Sequence, residues 1–262
     1  MRPLSELTQD EARNIDGLLF DLDDTLLSHG LLTRAAFGAL WDLHEAKIRL
    51  VAVTGRPSGW GEVIARQWPV DGVVTENGAV HVVKEGAGVR LLQTCSDAER
   101  RARRIKLAQI IEEVAQVVPE SRLADDVGAR VSDVTWDIGE RIKMPVDRAD
   151  LIDVTARQLG ARTTRSSVHL HATFDEDDKA SGAVRFLTGR FAVSAGAALA
   201  RYAFVGDSGN DSACFAAFHA TFGVANVRQY AARISVPPRF VATKEMGEGF
   251  AEIARALLAM RK

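Results

Sequence analysis

The sequence predicts an α/β fold in which a doubly wound parallel sheet is interrupted by an inserted α+β domain. Three observations support this prediction. Short apolar segments alternate with helical segments over residues 17–75, the same alternation returns after residue 179, and the region between them contains an antiparallel hairpin beside helices. Alternating strands and helices indicate a parallel sheet wound by crossover helices. An antiparallel hairpin does not continue such a sheet, so the middle region is assigned to a separate domain.

The first core region contains three predicted strands. An apolar run over residues 17–20 can be buried on both faces, as in a parallel strand. A helix over 33–44 follows, with Thr33 as its N-cap and apolar residues at helical spacing. The second and third strands are predicted over 48–53 and 72–75, with a short helix between them.

The inserted region is predicted to contain a hairpin, helices and short strands. These are a hairpin over 80–92, a helix over 97–118 capped by Ser96, a strand over 130–138, a helix over 147–159 and two extended pieces within 161–174. The predicted domains are therefore residues 1–81 for the first part of the core, 82–176 for the inserted α+β domain and 177–262 for the second part of the core.

The core pattern then returns. Its predicted elements are a helix from Lys179 to about residue 200 with a possible break at Gly189, strands over 202–205, 221–225 and 239–242, and a last helix over 249–258. The acidic run over 175–178 is short, and we expect it to be a solvated hinge.

Composition narrows the class of partner. The net charge of −2, with 26% charged residues, gives no basic excess, so neither nucleic acid nor an anionic membrane is expected as a partner. Cys95 and Cys214 are far apart, which indicates neither a disulfide framework nor a zinc site. Residues 1–14 lack the apolar core of a signal peptide, and no apolar run is long enough to span a bilayer. We therefore expect a cytoplasmic protein, as a monomer or homodimer.

Polar residues follow three of the predicted strands. They are Asp21, Asp23 and Thr25 after the first strand, Thr54 and Gly55 after the second, and Asp207, Asn210 and Asp211 after the strand over 202–205. In a parallel sheet these ends lie at one edge, where open α/β sheets bind ligands. Clustered carboxylates resist joint ionisation unless a cation compensates them. Mg²⁺ fits, because it takes carboxylate oxygens, waters and a substrate phosphate, and Lys179 can supply a second positive charge.

These motifs resemble those of the haloacid dehalogenase-like (HAD) phosphohydrolase superfamily. Asp21-Leu22-Asp23-Asp24-Thr25 is similar to its motif I, Thr54 with Gly55-Arg56-Pro57 to motif II, Lys179 to motif III, and the segment 206–211 to motif IV. Glu76-Asn77-Gly78-Ala79, the long insertion and Gly223-Val224-Ala225-Asn226 resemble the Cof-type, class IIB branch, which includes sugar phosphatases. The resemblance covers nearly the whole chain, and it implies a Rossmann-like core with the inserted domain as a cap.

The resemblance also implies a role for each motif residue. Asp21 would be the nucleophile that forms an aspartyl-phosphate, and Asp23 the general acid and base. Thr54, Gly55, Lys179 and Asn210 would bind the phosphoryl group, with Asn210 alternatively fixing Lys179. Mg²⁺ would be held by Asp21, the main-chain carbonyl of Asp23, and Asp207, with Asp211 in direct or outer-shell support.

The inserted domain is expected to select the substrate, a small phosphorylated metabolite and most simply a sugar phosphate. The candidate contacts are Arg130, Ser132, Arg165, His169 and His171. His169 and His171 share one strand face, which also suits a metal pair, although no third ligand stands out. The basic residues over 100–106 are expected to be a solvated face, or else to attract an anionic substrate.

Two other functions are compatible with the motifs. A phosphomutase or other phosphotransferase would pass the phosphoryl group from Asp21 to another hydroxyl. A non-hydrolytic phospho-switch would share the acidic cluster, the threonine and the lysine. Such a switch needs neither the second carboxylate of Asp23 nor a large inserted domain, so a phosphatase is the preferred hypothesis.

Overall fold

A computed structural model describes residues 1–166 and 168–261. The strands are β1 (Arg2–Pro3), β2 (Gly17–Phe20), β3 (Leu27–Ser28), β4 (Leu31–Leu32), β5 (Arg49–Val53), β6 (Gly72–Thr75), β7 (Val80–Glu85), β8 (Gly88–Gln93), β9 (Asp133–Asp137), β10 (Arg162–Arg165), β11 (His169–Thr173), β12 (Tyr202–Gly206), β13 (Ala220–Gly223) and β14 (Phe240–Val241). The helices are α1 (Gln9–Arg13), α2 (Arg34–Glu45), α3 (Ser58–Gln67), α4 (Asp97–Val117), α5 (Val146–Gln158), α6 (Lys179–Phe191), α7 (Ala195–Arg201), α8 (Ser212–Ala217) and α9 (Met246–Met260).

Nine of the described strands form the main sheet, in the order β1-β14-β13-β12-β2-β5-β6-β7-β8. The first seven strands in this order, which end with β6, pair in parallel. Strands β7 and β8 continue the sheet as an antiparallel hairpin. The predicted α/β fold with a mostly parallel sheet is therefore confirmed. The strand order, which the sequence did not predict, places β2 in the middle of the sheet between β12 and β5.

Apolar layers cover both faces of the main sheet. Leu18 and Phe20 of β2 pack into the layer that contains α2, α3 and α9, and Leu19 packs into the layer that contains α6, α7 and α8. All three side chains are fully buried, and such burial contributes roughly 1.5–3 kcal/mol per side chain. The central strand is therefore held from both sides up to the residue before Asp21.

The inserted region forms a second, smaller sheet with two helices. Its strand order is β10-β11-β9, and both pairings are antiparallel. Its own core contains Trp136 and Leu170 from the sheet, Val114 from α4 and Ile152 from α5. Helix α4 begins with a capping box in which Ser96 accepts a hydrogen bond from the backbone N–H of Glu99. None of the described helices combines the length and apolar character needed to cross a membrane.

The start of the inserted unit differs from the expected position. The hairpin over 80–92 is present, but as β7 and β8 it belongs to the main sheet, so a boundary at residue 82 falls inside a strand. A hairpin that extends a parallel sheet at its edge has the same local pattern as one in a separate domain. We therefore propose that the inserted unit begins after β8.

Three local expectations also need correction. Strand β9 begins at Asp133 rather than at residue 130, because the backbone N–H groups of residues 131 and 132 donate to the carboxylate of Glu76 in the core. The helix that begins at Lys179 ends at residue 191, and the break follows at Ala192 (φ 55°) rather than at Gly189.

The acidic run is not wholly solvated. Asp175 is buried, and its carboxylate accepts hydrogen bonds from Arg100 at 2.6 and 3.0 Å and from Arg103 at 2.7 Å. The expectation of a solvated acidic segment beside a solvated basic helix face is therefore wrong for these three residues. Their ion pairs fix the start of α4 against the end of the inserted domain.

Candidate active site

The carboxyl ends of three neighbouring strands meet at one edge of the main sheet. Asp21 follows β2, Asp207 follows β12, and Thr54 follows β5. Because β12, β2 and β5 are adjacent and parallel, the structure brings these residues together although they are distant in sequence. All three are buried.

Lys179 is the cation at the centre of the cluster. Its Nζ lies 2.8 Å from Oδ1 of Asp21 and 2.8 Å from Oδ1 of Asp211. Burial alone would lower the pKa of Lys179, but the two carboxylates outweigh it and raise the pKa above its ordinary value. Lys179 therefore carries a buried, charged ammonium group. It is the first residue of α6, and Asp178 caps the N-terminus of that helix.

Asp211 positions both this lysine and the loop after β12. Its Oδ2 accepts hydrogen bonds from the backbone N–H groups of Asp207 (3.0 Å) and Ser208 (3.2 Å). A Cβ at Gly206 would lie 2.4 Å from the same oxygen, so only glycine fits there. Both oxygens of Asp211 are thus engaged, which suits outer-shell rather than direct metal support.

Asn210 does not contact Lys179 in the structure. Its Oδ1 accepts a hydrogen bond from Ser208 Oγ at 2.6 Å, and the residue lines the cavity described below. Asp211 makes the contact with the lysine instead. Asn210 was expected either to bind the phosphoryl group or to fix Lys179, and its position at the cavity is compatible with the first of these roles.

Asp207 is held by neutral donors only. Its carboxylate accepts hydrogen bonds from Thr25 Oγ1 at 3.2 Å and from Asn226 Nδ2 at 2.9 Å. It has no ion-pair partner among the described residues, and burial raises its pKa well above the ordinary value. The contact from Asn226 was not expected from the sequence, in which this residue is part of the Gly223-Val224-Ala225-Asn226 motif.

The carboxylates exceed the positive charge available to them. Asp21, Asp207 and Asp211 each offer an oxygen, and these atoms lie within 4.8 Å of one another, whereas Lys179 pairs only with Asp21 and Asp211. Burial raises the pKa of Asp21 to about 7, although Lys179 opposes the shift. A buried, all-oxygen donor set with excess negative charge fits Mg²⁺.

Arg56 connects the core to the inserted domain, and sequence reasoning missed its role. Its Nε and Nη2 each donate to one oxygen of Asp23 at 2.9 Å, and Nη2 also lies 3.1 Å from Oε1 of Glu140. Burial would lower the pKa of Arg56, but Asp23 and Glu140 raise it further above its ordinary value. The signal was its place directly after Thr54 and Gly55 in the second motif.

A cavity of about 320 Å³ lies above the carboxylate cluster, between the core and the inserted domain. Residues from the core that line it include Asp21, Asp23, Gly55, Arg56, Asp207 and Asn210. The inserted domain contributes Gly139, Glu140, Ser166, Val168, His169 and His171. Thr54 and Lys179 are not among these lining residues; they lie behind them, and Thr54 Oγ1 accepts a hydrogen bond from the Arg56 N–H at 3.0 Å.

Two of the residues expected to contact substrate lie in this cavity wall. His169 Nε2 is 2.9 Å from Oε2 of Glu140, and His171 Nδ1 is 2.9 Å from Oδ2 of Asp133. Burial lowers the pKa of His171 below its ordinary value, although Asp133 opposes the shift. Among the described residues the two histidines do not form part of a cluster of three possible metal ligands, so the metal-pair alternative gains no support.

The other three expected contacts do not line the cavity. Arg130 is buried and donates to the carbonyl oxygen of Gly55 (2.9 Å) and to Asp133. The Ser132 hydroxyl donates to Glu76 at 2.5 Å, and Arg165 pairs with Asp150 on the surface. Arg130 and Ser132 therefore fix the inserted domain to the core, where sequence reasoning had assigned them to substrate.

Comparison with solved structures identifies the fold. No family model matches the sequence, and no curated protein matches it. A protein from Thermoplasma acidophilum is similar with a TM-score of 0.73 at 17% identity, over 93% of this chain and 98% of that one. The sucrose-phosphatase of Synechocystis, solved with sucrose and phosphate, is similar with a TM-score of 0.64 at 14% identity, over 93% of this chain and 98% of that one. A sugar phosphatase of HAD subclass IIB is similar with a TM-score of 0.63 at 16% identity, over 93% of this chain and 98% of that one. The predicted resemblance is therefore confirmed at the level of the fold.

Proposed function

We propose that the chain is a phosphoric monoester hydrolase of the haloacid dehalogenase-like superfamily, with Mg²⁺ as its cofactor and a small phosphorylated metabolite as its substrate. The observation that carries the proposal is the pair of buried carboxylates, Asp21 and Asp207, in the cavity lining, with Lys179 behind them and 2.8 Å from Asp21. Solved structures of the same fold include phosphatases, which supports this reaction class.

In this proposal Asp21 attacks phosphorus and the P–O bond to the substrate alcohol breaks. The products of this step are an aspartyl-phosphate and the alcohol, to which Asp23 delivers a proton. Asp23 then takes a proton from a water that attacks the aspartyl-phosphate, which releases inorganic phosphate and restores Asp21. Lys179 stabilises the negative charge near the phosphoryl oxygens throughout, because both carboxylates beside it keep it protonated.

Arg56 keeps Asp23 oriented for this exchange of protons. Two hydrogen bonds hold the carboxylate of Asp23, whose side chain is still 35% exposed toward the cavity. A carboxylate fixed in this way can reach a leaving group without competing with Asp21 for phosphorus. The bidentate contact also requires arginine rather than lysine.

Mg²⁺ would be held by Asp21, Asp207 and the main-chain carbonyl of Asp23, with Asp211 acting through Lys179 and the loop. When bound, the ion supplies charge neutralisation and orientation of the phosphate. The carboxylate of Asp207 is suited to this role because only neutral groups and distant charges compensate it in the protein.

The cavity wall favours a sugar or polyol monophosphate. Glu140, Ser166 and His169 offer hydrogen-bonding groups that suit hydroxyls. Arg56 is the sole arginine or lysine among the described lining residues, and it is already paired with Asp23 and Glu140, so neither an arginine nor a lysine of this lining is free for a second phosphate. The same lining residues include no Phe, Tyr or Trp on which a nucleobase could stack.

The test is a phosphate-release screen over sugar phosphates, polyol phosphates, nucleotides and pyridoxal phosphate, with and without a chelator. We expect sugar or polyol monophosphates to be the best substrates and chelation to abolish turnover. Asp21→Asn is nearly isosteric and should abolish turnover without unfolding the protein. Asp16→Asn, at an exposed ion pair with Arg201, is the matched control and should retain activity. Hydrolysis by Asp21→Asn would remove the proposed nucleophile.

The same screen separates the other two functions. A phosphotransferase would form an isomer or a new phosphate ester in preference to inorganic phosphate, and a phospho-switch would accumulate stable phosphorylated Asp21. The cavity above Asp23 favours an enzyme that acts on a small substrate over a switch, because a switch needs no such substrate site.

A further inference from the structure

The cavity above Asp21 is also lined by a hairpin of the core. His29 and Gly30 line it, and they form the two-residue turn between β3 and β4. The lining residues that suit substrate hydroxyls in the proposal above all belong to the inserted domain. The reaction steps proposed above use neither His29 nor Gly30, so the contribution of this hairpin to the cavity is unassigned.

The hairpin is fixed to the core. Leu26 and Leu27 at its start are buried in the apolar layer that contains α2 and α9. The hydroxyl of Ser28 accepts a hydrogen bond from the backbone N–H of Gly247 in α9 at 3.3 Å. The core therefore determines where His29 lies in the cavity wall, and the inserted domain does not.

The backbone of the turn does not account for a histidine at residue 29. His29 and Gly30 both have positive φ angles, of 51° and 79°. Two such residues between paired strands form a type I′ turn, in which asparagine or glycine is favoured at the first position. A histidine is tolerated there, but its Cβ makes the left-handed conformation less favourable than it is for glycine.

The imidazole of His29 does not stabilise the fold through a hydrogen bond. The residue is exposed, and in the described part of the chain no hydrogen bond or ion pair involves this ring. Its charged neighbour is Asp24, which lines the same cavity. Burial raises the pKa of Asp24, and nearby His29 opposes that shift. The ring therefore lies beside the carboxylates of the cavity and is free to contact a bound molecule.

We infer that His29 hydrogen-bonds a hydroxyl group in the alcohol portion of the substrate and is a specificity-determining residue. This inference rests on the proposed function. An imidazole carries at least one N–H donor in either protonation state, which suits a hydroxyl oxygen. Selection of the substrate is then shared between the inserted domain and a core hairpin, whereas the sequence predicted selection by the inserted domain.

The test compares two compounds that differ in their hydroxyl groups. The first is the sugar or polyol phosphate that wild type hydrolyses fastest. The second is cyclohexylmethyl phosphate, which has a ring on a CH2–O–phosphate linkage and no hydroxyl. The KM of the first and the inhibition constant of the second are measured in Mg²⁺. The inhibition constant describes cyclohexylmethyl phosphate whether it is hydrolysed or inert, because it competes for the same site in both cases.

His29→Gly removes the ring and retains the turn. Loss of one neutral hydrogen bond should raise the KM of the sugar or polyol phosphate about three- to tenfold more than the inhibition constant of cyclohexylmethyl phosphate. The kcat should change less than the KM, because a contact made equally in the ground state and the transition state affects binding alone.

Lys47→Gly is the matched control. Lys47 has a φ of 62°, is exposed and does not line the cavity. It should leave the KM and the inhibition constant as they are in wild type. Glycine adopts positive φ without steric cost, so the urea midpoint of both variants should equal or exceed that of wild type.

The outcomes separate this inference from the proposed function. If wild type releases phosphate from no compound in the screen, the proposed function fails, and the inference fails with it. If wild type is a phosphatase, the inference alone is wrong in three cases. These are hydrolysis of no sugar or polyol phosphate, an equal change or no change in both constants for His29→Gly, and a lowered urea midpoint for His29→Gly but not for Lys47→Gly.

Discussion

Lys179→Met tests whether one buried cation holds the carboxylate cluster together. Methionine keeps much of the length and apolar volume of the lysine stem but removes the ammonium group. Lys179 Nζ lies 2.8 Å from both Asp21 and Asp211, and all three residues are at most 4% exposed. The substitution therefore leaves two buried carboxylates without their ion-pair partner.

The expected loss in the free energy of unfolding is about 3–5 kcal/mol in the absence of divalent ions, which is the cost of removing one partner of a buried pair. At pH 7 the loss should lie near the lower limit, because the pKa of Asp21 is already about 7 and its carboxyl can take up a proton. It should grow as the pH rises and this protonation is lost. If Mg²⁺ binds the same carboxylates, a hundredfold excess over Kd restores about 2.7 kcal/mol.

The measurement is urea unfolding of wild type and variant in chelator and in Mg²⁺, followed by tryptophan fluorescence. Lys244→Met is the matched control, since Lys244 is 55% exposed and lies 3.7 Å from Glu248; it should cost less than about 1 kcal/mol. A loss below about 1 kcal/mol for Lys179→Met in chelator would show that the lysine does not compensate the cluster. Unfolding curves that Mg²⁺ leaves unchanged in both proteins would refute the metal assignment.

Three further predictions concern single residues. Asp207→Ala should raise the Mg²⁺ concentration needed for half-maximal phosphate release at least tenfold, and an unchanged Mg²⁺ profile would exclude Asp207 as a ligand. Asp175→Asn should lower the free energy of unfolding by about 3–5 kcal/mol, because Arg100 and Arg103 lose their buried partner, whereas Asp153→Asn at an exposed pair should cost less than about 1 kcal/mol. Burial lowers the pKa of His81 to about 3 in the folded protein, so as the pH falls the ring is protonated in the unfolded chain before it is protonated in the folded one. The contribution of the neutral ring to the free energy of unfolding is therefore complete above pH 6.5 and is lost as the pH falls toward 3. Between pH 7 and 4.5 wild type should lose about 2.5 kcal/mol more than His81→Phe, and parallel pH profiles would contradict this.

The sequence predicted those parts of the fold that local patterns determine. The run over 17–20 is apolar at every position, and it forms a strand that is buried on both faces. Ser96 and Thr33 cap their helices as expected. The predicted hairpin over 80–92 is present, but its place in the main sheet could not be predicted because an antiparallel pair has the same pattern in either domain. Only its pairing with β6, which is a tertiary contact, distinguishes the two.

The site was predictable where each residue follows a strand, and less so where it depends on pairing between domains. Asp21, Thr54 and Asp207 could be placed together because parallel strands share one edge. Arg56 could not be paired with Glu140, since 84 residues separate them and both belong to charged segments that are usually solvated. The contact between Arg130 and the carbonyl oxygen of Gly55 could not be predicted either, because 75 residues separate the two.

The contacts that hold the inserted domain to the core also determine the surroundings of the proposed acid and base. Arg56 is shared between Asp23 in the core and Glu140 in the inserted domain. If the domain moves away, Glu140 leaves and Asp23 becomes the remaining carboxylate on that guanidinium, with wider access to water. Opening must also break the hydrogen bonds from Ser132 to the buried carboxylate of Glu76, whose pKa burial and Asp133 together raise. Domain closure and the charge environment of Asp23 are therefore one equilibrium, so substitutions at this contact should alter proton transfer as well as substrate entry.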